Sequence, residues 1–241
     1  MNLPQESVDF LKEIVDTKEV NTQLDKMYQF VTTQSEIPYI VLNKTFDANK
    51  AHEEIKKVDE AGLFVRYYSR FVNSKTEGWY ATALYGQSAT NPWNIQASAV
   101  EYSHLPYEGN VWTESADMMP YMKSVLDDFL GIDNINRCVC FKLAPGGFVE
   151  LHTDEPKTHG YVMKQVNFHI HWPEECVWFL EGAENGVHPT TNGTVTMHSS
   201  IAKHVITNNS NENRYFVWVF ANFVDKYKHL VVDSYLKKYN D

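Results

Sequence analysis

Residues 148–154, Phe-Val-Glu-Leu-His-Thr-Asp, carry the pair with the most chemical potential, His152 and Asp154. In extended chain, residues i and i+2 point to the same side. The two side chains can therefore offer an imidazole nitrogen and a carboxylate oxygen to a single point. Such a pair is two-thirds of a 2-His-1-carboxylate facial triad, the ligand set that leaves three positions open on a non-haem Fe(II) ion. About fifty residues later, Lys-His-Val-Ile-Thr-Asn over 203–208 offers a third ligand, His204. His198 competes for that role, but ten residues beyond it stands Asn208, whereas ten beyond His204 stands Arg214. The assignment goes to His204. Glu174, Glu175 and His188 lack a paired partner of the His-x-Asp kind two positions on and read as turn residues.

Arg214 opens the β-type run Arg-Tyr-Phe-Val-Trp-Val-Phe over 214–220, where alternation puts it on one face with Phe216, Trp218 and Phe220. A guanidinium on an apolar face needs a partner, because burying an isolated charge is prohibitive. Its planar fork suits a carboxylate, supplied either by the protein or by a bound ligand. A further strand-like run over 166–172 alternates Asn167, His169 and His171 against Phe168, Ile170 and Trp172. Either its aromatic face is core and its histidine face solvated, or the histidine face lines a site.

The elements that must position these groups follow from periodicity. Apolar spacing predicts a helix over 7–31, a charged amphipathic helix over 48–60, and a helix over 115–130 capped by Ser115 and stopped at Gly131. The buried stripe of the last is Met118, Met119, Met122, Val125, Leu126 and Phe129. Short strands are expected over 38–42 and 63–68. Residues 73–110 read as irregular and rich in aromatics, with Trp79, Tyr80, Tyr85, Trp93, Tyr102, His104 and Tyr107 serving either as core or as pocket wall. Beyond residue 130 the texture changes to short β runs over 138–143, 166–172, 176–180, 194–198 and 215–223, separated by Pro-Gly-Gly, Trp-Pro, Asn-Gly and Asn-Asn-Ser-Asn turns. The tail over 224–241 reads as a closing helix. Many short strands after a helical start imply an antiparallel sandwich or barrel with helices packed outside it.

Composition bounds the function. A chain of 241 residues with 43% hydrophobic and 14% aromatic residues can bury a substantial core. A formal charge of −10 argues against a binder of nucleic-acid phosphates. Cys138, Cys140 and Cys176 have no zinc-type spacing and read as reduced core thiols. The first residues do not form a signal peptide, and no apolar run reaches membrane-spanning length, so a soluble cytoplasmic protein is expected.

The order His152-x-Asp154, His204, Arg214 resembles the Fe(II)/2-oxoglutarate-dependent oxygenases, and more closely their aspartyl/asparaginyl β-hydroxylase-like branch, which includes proline cis-4-hydroxylase-type amino acid hydroxylases. The likeness covers about residues 115–223. It rests on the helix Pro-Tyr-Met-Lys-Ser-Val-Leu-Asp-Asp-Phe over 120–129, on Leu-Ala-Pro-Gly-Gly leading into His152-Thr-Asp154, and on His204-x-x-x-Asn208 followed by Arg214. The resemblance implies a mainly β fold with flanking helices, a double-stranded β-helix (jelly roll, cupin-like) over 135–223 within a single domain, flanked by a helical and irregular region over 1–130 and a C-terminal helix. It implies Fe(II) on His152, Asp154 and His204, and 2-oxoglutarate with its distal carboxylate on Arg214. His169 would also face that cosubstrate; Asn167 stands where some relatives have Arg. The implied reaction consumes molecular oxygen, converts 2-oxoglutarate to succinate and CO2, and hydroxylates an unactivated C–H bond of an amino acid, free or peptidyl. Residues 73–114 and 155–164 are the expected pocket walls. The competing reading is a cupin-like metal-binding protein that binds a small molecule without 2-oxoglutarate.

Overall fold

A computed structural model of the chain describes residue 9 and residues 38–67, 75–86, 89, 111–131, 135–153, 165–198, 202–221 and 225–240. The helix expected over 7–31 falls, apart from Asp9, outside them. So do Trp93, Tyr102, His104, Tyr107, Asp154 and the 155–164 loop.

Ten strands and four α-helices carry the described chain: β1 (Tyr39–Thr45), α1 (Ala48–Glu60), β2 (Val65–Arg66), β3 (Thr76–Gly86), β4 (Val111–Trp112), α2 (Glu114–Asp117), α3 (Pro120–Leu130), β5 (Ile135–His152), β6 (Gln165–His171), β7 (Cys176–Leu180), β8 (Thr194–His198), β9 (His204–Asn208), β10 (Arg214–Ala221) and α4 (Asp225–Asn240). Every strand pairing among them is antiparallel. The main layer runs β1-β8-β6-β10-β5-β3-β2, and a second layer forms where β9 joins the end of β5 and then β7. This is the expected jelly roll.

β5 belongs to both layers. Its first half pairs with β10 from Ile135 to Leu143, and its last residues pair with β9 from Phe148 to His152. The two halves, expected as separate strands, are one bent strand of 18 residues. The bend lies at Ala144-Pro145-Gly146-Gly147, opposite the single residue Gly78 of β3. Gly146 takes φ 72°, a conformation open to glycine, and a Cβ on Gly147 would stand 2.7 Å from the Ala144 carbonyl oxygen.

Two apolar clusters result. One lies between the layers and contains Trp79, Phe141, Leu143, Val149, Trp178, Ile206 and Phe216. The other lies under the helices, where Ile55 and Val58 of α1, Met122 and Leu126 of α3, and Val231 and Tyr235 of α4 meet Phe168, Ile170 and Val217 from the main layer. Cys138 and Cys140 are buried free thiols in this second cluster, and Cys176 is a buried free thiol between the layers. Burial pushes all three thiol pKa values up.

Three expectations change. Residues 76–86 form an interior strand, not irregular structure, and Trp79 and Tyr85 are core. Along its second half both faces of β3 are buried, which removes the alternation that marks a half-exposed strand. The helix expected over 115–130 breaks into α2 and α3, with Met119 at φ −121°, ψ 55° ahead of Pro120. Proline disfavours a helical residue before it. Thr113, not Ser115, caps α2 by accepting from Ala116 N, and Ser115 is buried against Thr82. Third, the main layer recruits β1 and β3 from before residue 130, the stretch expected to flank the sheet.

Candidate active site

His152 ends β5 and His204 begins β9, and the two are direct cross-strand partners. Their ring centroids are 4.2 Å apart with planes at 54°. Plain alternation from Val149, which faces the interior, would point Leu151 inward and His152 out. A register shift between Val149 and His152 inserts one extra residue on β5. That bulge leaves Leu151 53% exposed and turns His152 to the face shared with His204.

Both imidazoles are oriented by main chain. His152 Nδ1 lies 2.6 Å from the Glu150 carbonyl oxygen, and His204 Nδ1 lies 3.1 Å from that of Ala202. A carbonyl only accepts, so each Nδ1 carries the proton and each Nε2 keeps its lone pair. This is the tautomer of a metal-ligating histidine whose other nitrogen is held by a backbone carbonyl. Asp154 follows directly but is outside the described residues. Among the described residues, no group of three His, Cys, Asp or Glu side chains is arranged to hold a metal.

Arg214 begins β10 opposite Leu143 and is completely buried. Its guanidinium carbon sits 4.1 Å from the Trp172 ring centre, 4.5 Å from Phe216 and 5.7 Å from Trp178. None of its three side-chain nitrogens has a hydrogen-bond partner among the described residues. Aromatic faces compensate only part of the desolvation of a cation, and burial pulls its pKa down to about 10. Among the described residues no carboxylate pairs it. The donor set fits an anionic ligand with a carboxylate.

β6 completes this wall, and its alternation differs from the expected one. A register shift against β10 pairs His169 with Phe216 and His171 with Tyr215. The irregularity moves His171 to the helix side, where it stacks on His52 of α1 at 4.1 Å, and Trp172 packs over Arg214. His169 stays inside, fully buried, with Nε2 2.8 Å from Thr196 Oγ1 and Nδ1 without a partner. Burial first, then the Arg214 charge, holds its pKa well below the ordinary histidine range, so it is neutral. Asn167 is buried beside it and contacts His198 Nδ1 at 3.4 Å.

His198 is itself buried, edge-on to His204 with centroids 5.2 Å apart. Asn208 ties the β9–β10 turn to β5 by donating to the Leu143 and Glu212 carbonyls. Two residues escaped the sequence reading. His188 is no exposed turn residue: it is 1% exposed and stacks on Trp178 at 4.3 Å, planes 9° apart. Trp178 lies among His169, His188, His198 and His204. The only available signal was its inward register on a short strand.

No protein-family model matches the sequence, and no curated protein matches it either. In fold the chain is similar to a Trichoplax adhaerens prolyl hydroxylase solved with a hypoxia inducible factor oxygen degradation domain peptide, at TM-score 0.50 and 13% identity over 94% of each chain. It also matches a Pseudomonas putida prolyl-4-hydroxylase at TM-score 0.43 and 13% identity, over 82% of this chain and 100% of that one. A 2OG-Fe(II) oxygenase family oxidoreductase of Burkholderia pseudomallei matches at 0.43 and 13%, over 92% of this chain and 94% of that one. No helix among the described residues is long and apolar enough to cross a membrane. The antiparallel jelly roll of this chain is the fold it shares with the Trichoplax prolyl hydroxylase.

Proposed function

We propose that the chain is an Fe(II)- and 2-oxoglutarate-dependent oxygenase that hydroxylates an unactivated C–H bond of an amino acid, free or within a peptide, and that it stands near the aspartyl/asparaginyl β-hydroxylase-like branch. One observation carries this reading: a completely buried guanidinium, Arg214, has no hydrogen-bond partner among the described residues, in the same interior as the oriented pair His152 and His204. A metal-binding jelly roll that took no organic acid would gain nothing from that uncompensated charge.

In this reading His152, Asp154 and His204 hold Fe(II), and Arg214 takes the distal carboxylate of 2-oxoglutarate. When bound, the iron and its cosubstrate supply oxidative decarboxylation and the oxidising equivalent for C–H hydroxylation. The chain's own residues bind, orient and shield. The Glu150 and Ala202 carbonyls fix the imidazole tautomers. His169, held neutral, adds a polar contact without a second positive charge beside Arg214. Trp172, Phe216 and Trp178 exclude water from the guanidinium, which strengthens its attraction for a carboxylate. The peptide seen with the Trichoplax enzyme belongs to the proposed substrate class.

The test is anaerobic addition of Fe(II) and then 2-oxoglutarate, followed by visible spectroscopy. The weak charge-transfer band of an iron-chelated 2-oxo acid is expected with the wild type and absent with His204→Ala. No band at saturating concentrations of both would defeat the reading.

A further inference from the structure

Trp172 and Trp178 differ in how they use their indole N–H. Trp172 Nε1 donates to the Cys176 carbonyl oxygen at 2.6 Å, so this ring is a wall of the Arg214 site. Trp178 is 2% exposed, and its Nε1 has no hydrogen-bond partner among the described residues. A buried tryptophan usually finds a partner for that donor, and a buried polar atom without one needs a reason.

The ring is held in place. His188 stacks on it at 4.3 Å and His198 meets it edge-on at 5.0 Å. Its centroid lies 5.7 Å from the Arg214 guanidinium carbon and 6.1 Å from the His169 ring. Arg214 and His169 also present buried nitrogens without a partner. Three neighbouring side chains with unmet hydrogen-bonding capacity, all between the two layers, describe a site for one multiply oxygenated anion.

We propose that the Trp178 indole N–H is a ligand-binding donor that hydrogen-bonds a carboxylate oxygen of the keto acid held by Arg214. The proposal rests on the 2-oxoglutarate reading above and adds a binding residue to it. The stack with His188 sets the ring plane, and the donor is fixed before the ligand arrives. Preorganisation of this kind raises affinity because no rotamer freedom is lost on binding.

The test titrates 2-oxoglutarate into Zn(II)-loaded protein, wild type and Trp178→Phe, by calorimetry. It also follows the Trp178 indole resonance of the 15N-labelled wild type. Phenylalanine keeps a ring for His188 to stack on and removes the donor together with the second ring, so the indole resonance of the wild type separates the hydrogen bond from the lost volume. A hydrogen bond to a charged group lost from a buried site should weaken binding roughly ten- to a hundred-fold. The indole proton should move downfield as the ligand saturates. If the wild type does not bind 2-oxoglutarate, both the reading and this proposal fall. If it binds but either the affinity of Trp178→Phe or the indole resonance is unchanged, the Trp178 assignment falls and the oxygenase reading stands. Should Trp178→Phe not fold, the wild-type resonance alone decides.

Discussion

His152 and His204 face each other across β5 and β9 because β5 carries one more residue than β9 between that pair and the Val149–Ile206 pair. Without this bulge His152 would share the outer surface that Leu151 now occupies. The geometry of the candidate metal centre therefore depends on a local irregularity as much as on the identity of the ligands.

Metal binding should reflect this. His152→Ala, Asp154→Ala and His204→Ala are each expected to weaken Mn(II) binding by more than about a hundred-fold, beyond the ten- to hundred-fold typical of a lost supporting partner. His198→Ala should cost about ten-fold or less, because that imidazole contacts Asn167, Trp178 and the His204 ring. Electron paramagnetic resonance of free Mn(II) gives the dissociation constants. A stronger loss in His198→Ala than in His204→Ala would reverse the assignment.

The bend in β5 makes a stability prediction. At Gly147 a Cβ would stand 2.7 Å from both the Ala144 carbonyl oxygen and Leu143 Cδ1, and 2.9 Å from the Glu77 carbonyl oxygen. Backbone atoms cannot give way as a flexible side chain can. Gly147→Ala should cost about 1–3 kcal/mol or more. At Gly146 nothing lies within 4 Å of a Cβ and only φ 72° resists substitution, so Gly146→Ala should cost about 1 kcal/mol. Urea denaturation of both variants tests the order, and equal values would mean that the close approach between β3 and β5 relaxes freely.

A pH dependence follows from the stacked imidazoles of His52 and His171, 4.1 Å apart between α1 and β6. Burial first, then the neighbouring His171, pulls the pKa of His52 down to about 4. Lys56 acts in the same direction, Glu53 and Glu212 oppose it, and Glu212 Oε2 stands 3.1 Å from His171 Nε2. Above pH about 6.5 the imidazole of His52 is neutral in folded and unfolded chains and contributes no slope. Between about 6.5 and 4 the unfolded chain takes up a proton that the folded chain refuses, so stability falls as pH falls. His52→Phe, which keeps an aromatic ring against His171, should flatten the loss of melting temperature between pH 6.5 and 4.5. An unchanged slope would assign the acid sensitivity to other groups.

Spacing and residue types singled out His152, His204 and Arg214, and the fold pairs the first two across β5 and β9 and buries the third. The limits of α1, β7 and β8 also match those expected. What escaped was geometry that residue types do not encode. The bulge before His152 has no sequence mark. The irregularity in β6 moves His171 to α1 and Trp172 to Arg214 against the alternation of the run. β3 lost its alternation by being buried on both faces, and Pro120 split a helix whose apolar spacing runs on through it. His188, at the end of a Gly-rich turn, is carried inside by its N–H bond to the Trp178 carbonyl at 2.8 Å.

Arg214 separates the oxygenase from its alternatives through two measurements that should move in opposite directions. Its guanidinium is fully buried, has no hydrogen bond among the described residues, and has a pKa pulled down by that burial. In the ligand-free protein it is a liability, and replacing a buried charge by an apolar side chain of similar length is often neutral or stabilising. Arg214→Met should therefore melt at or above the wild-type temperature without ligand. With 2-oxoglutarate the order should invert. Losing one partner of a desolvated charge pair costs on the order of 2–5 kcal/mol, roughly thirty-fold or more in affinity. Lysine should restore only part of it, since a point charge cannot reproduce a two-pronged contact. Metal binding should stay near wild type in both variants, because Arg214 supplies no ligand atom. Differential scanning calorimetry of the ligand-free proteins and calorimetric titration of 2-oxoglutarate into their Zn(II)-loaded forms give the two numbers. A large fall in the melting temperature of Arg214→Met with its 2-oxoglutarate affinity intact would assign the guanidinium a role inside the protein and remove the main support for the oxygenase.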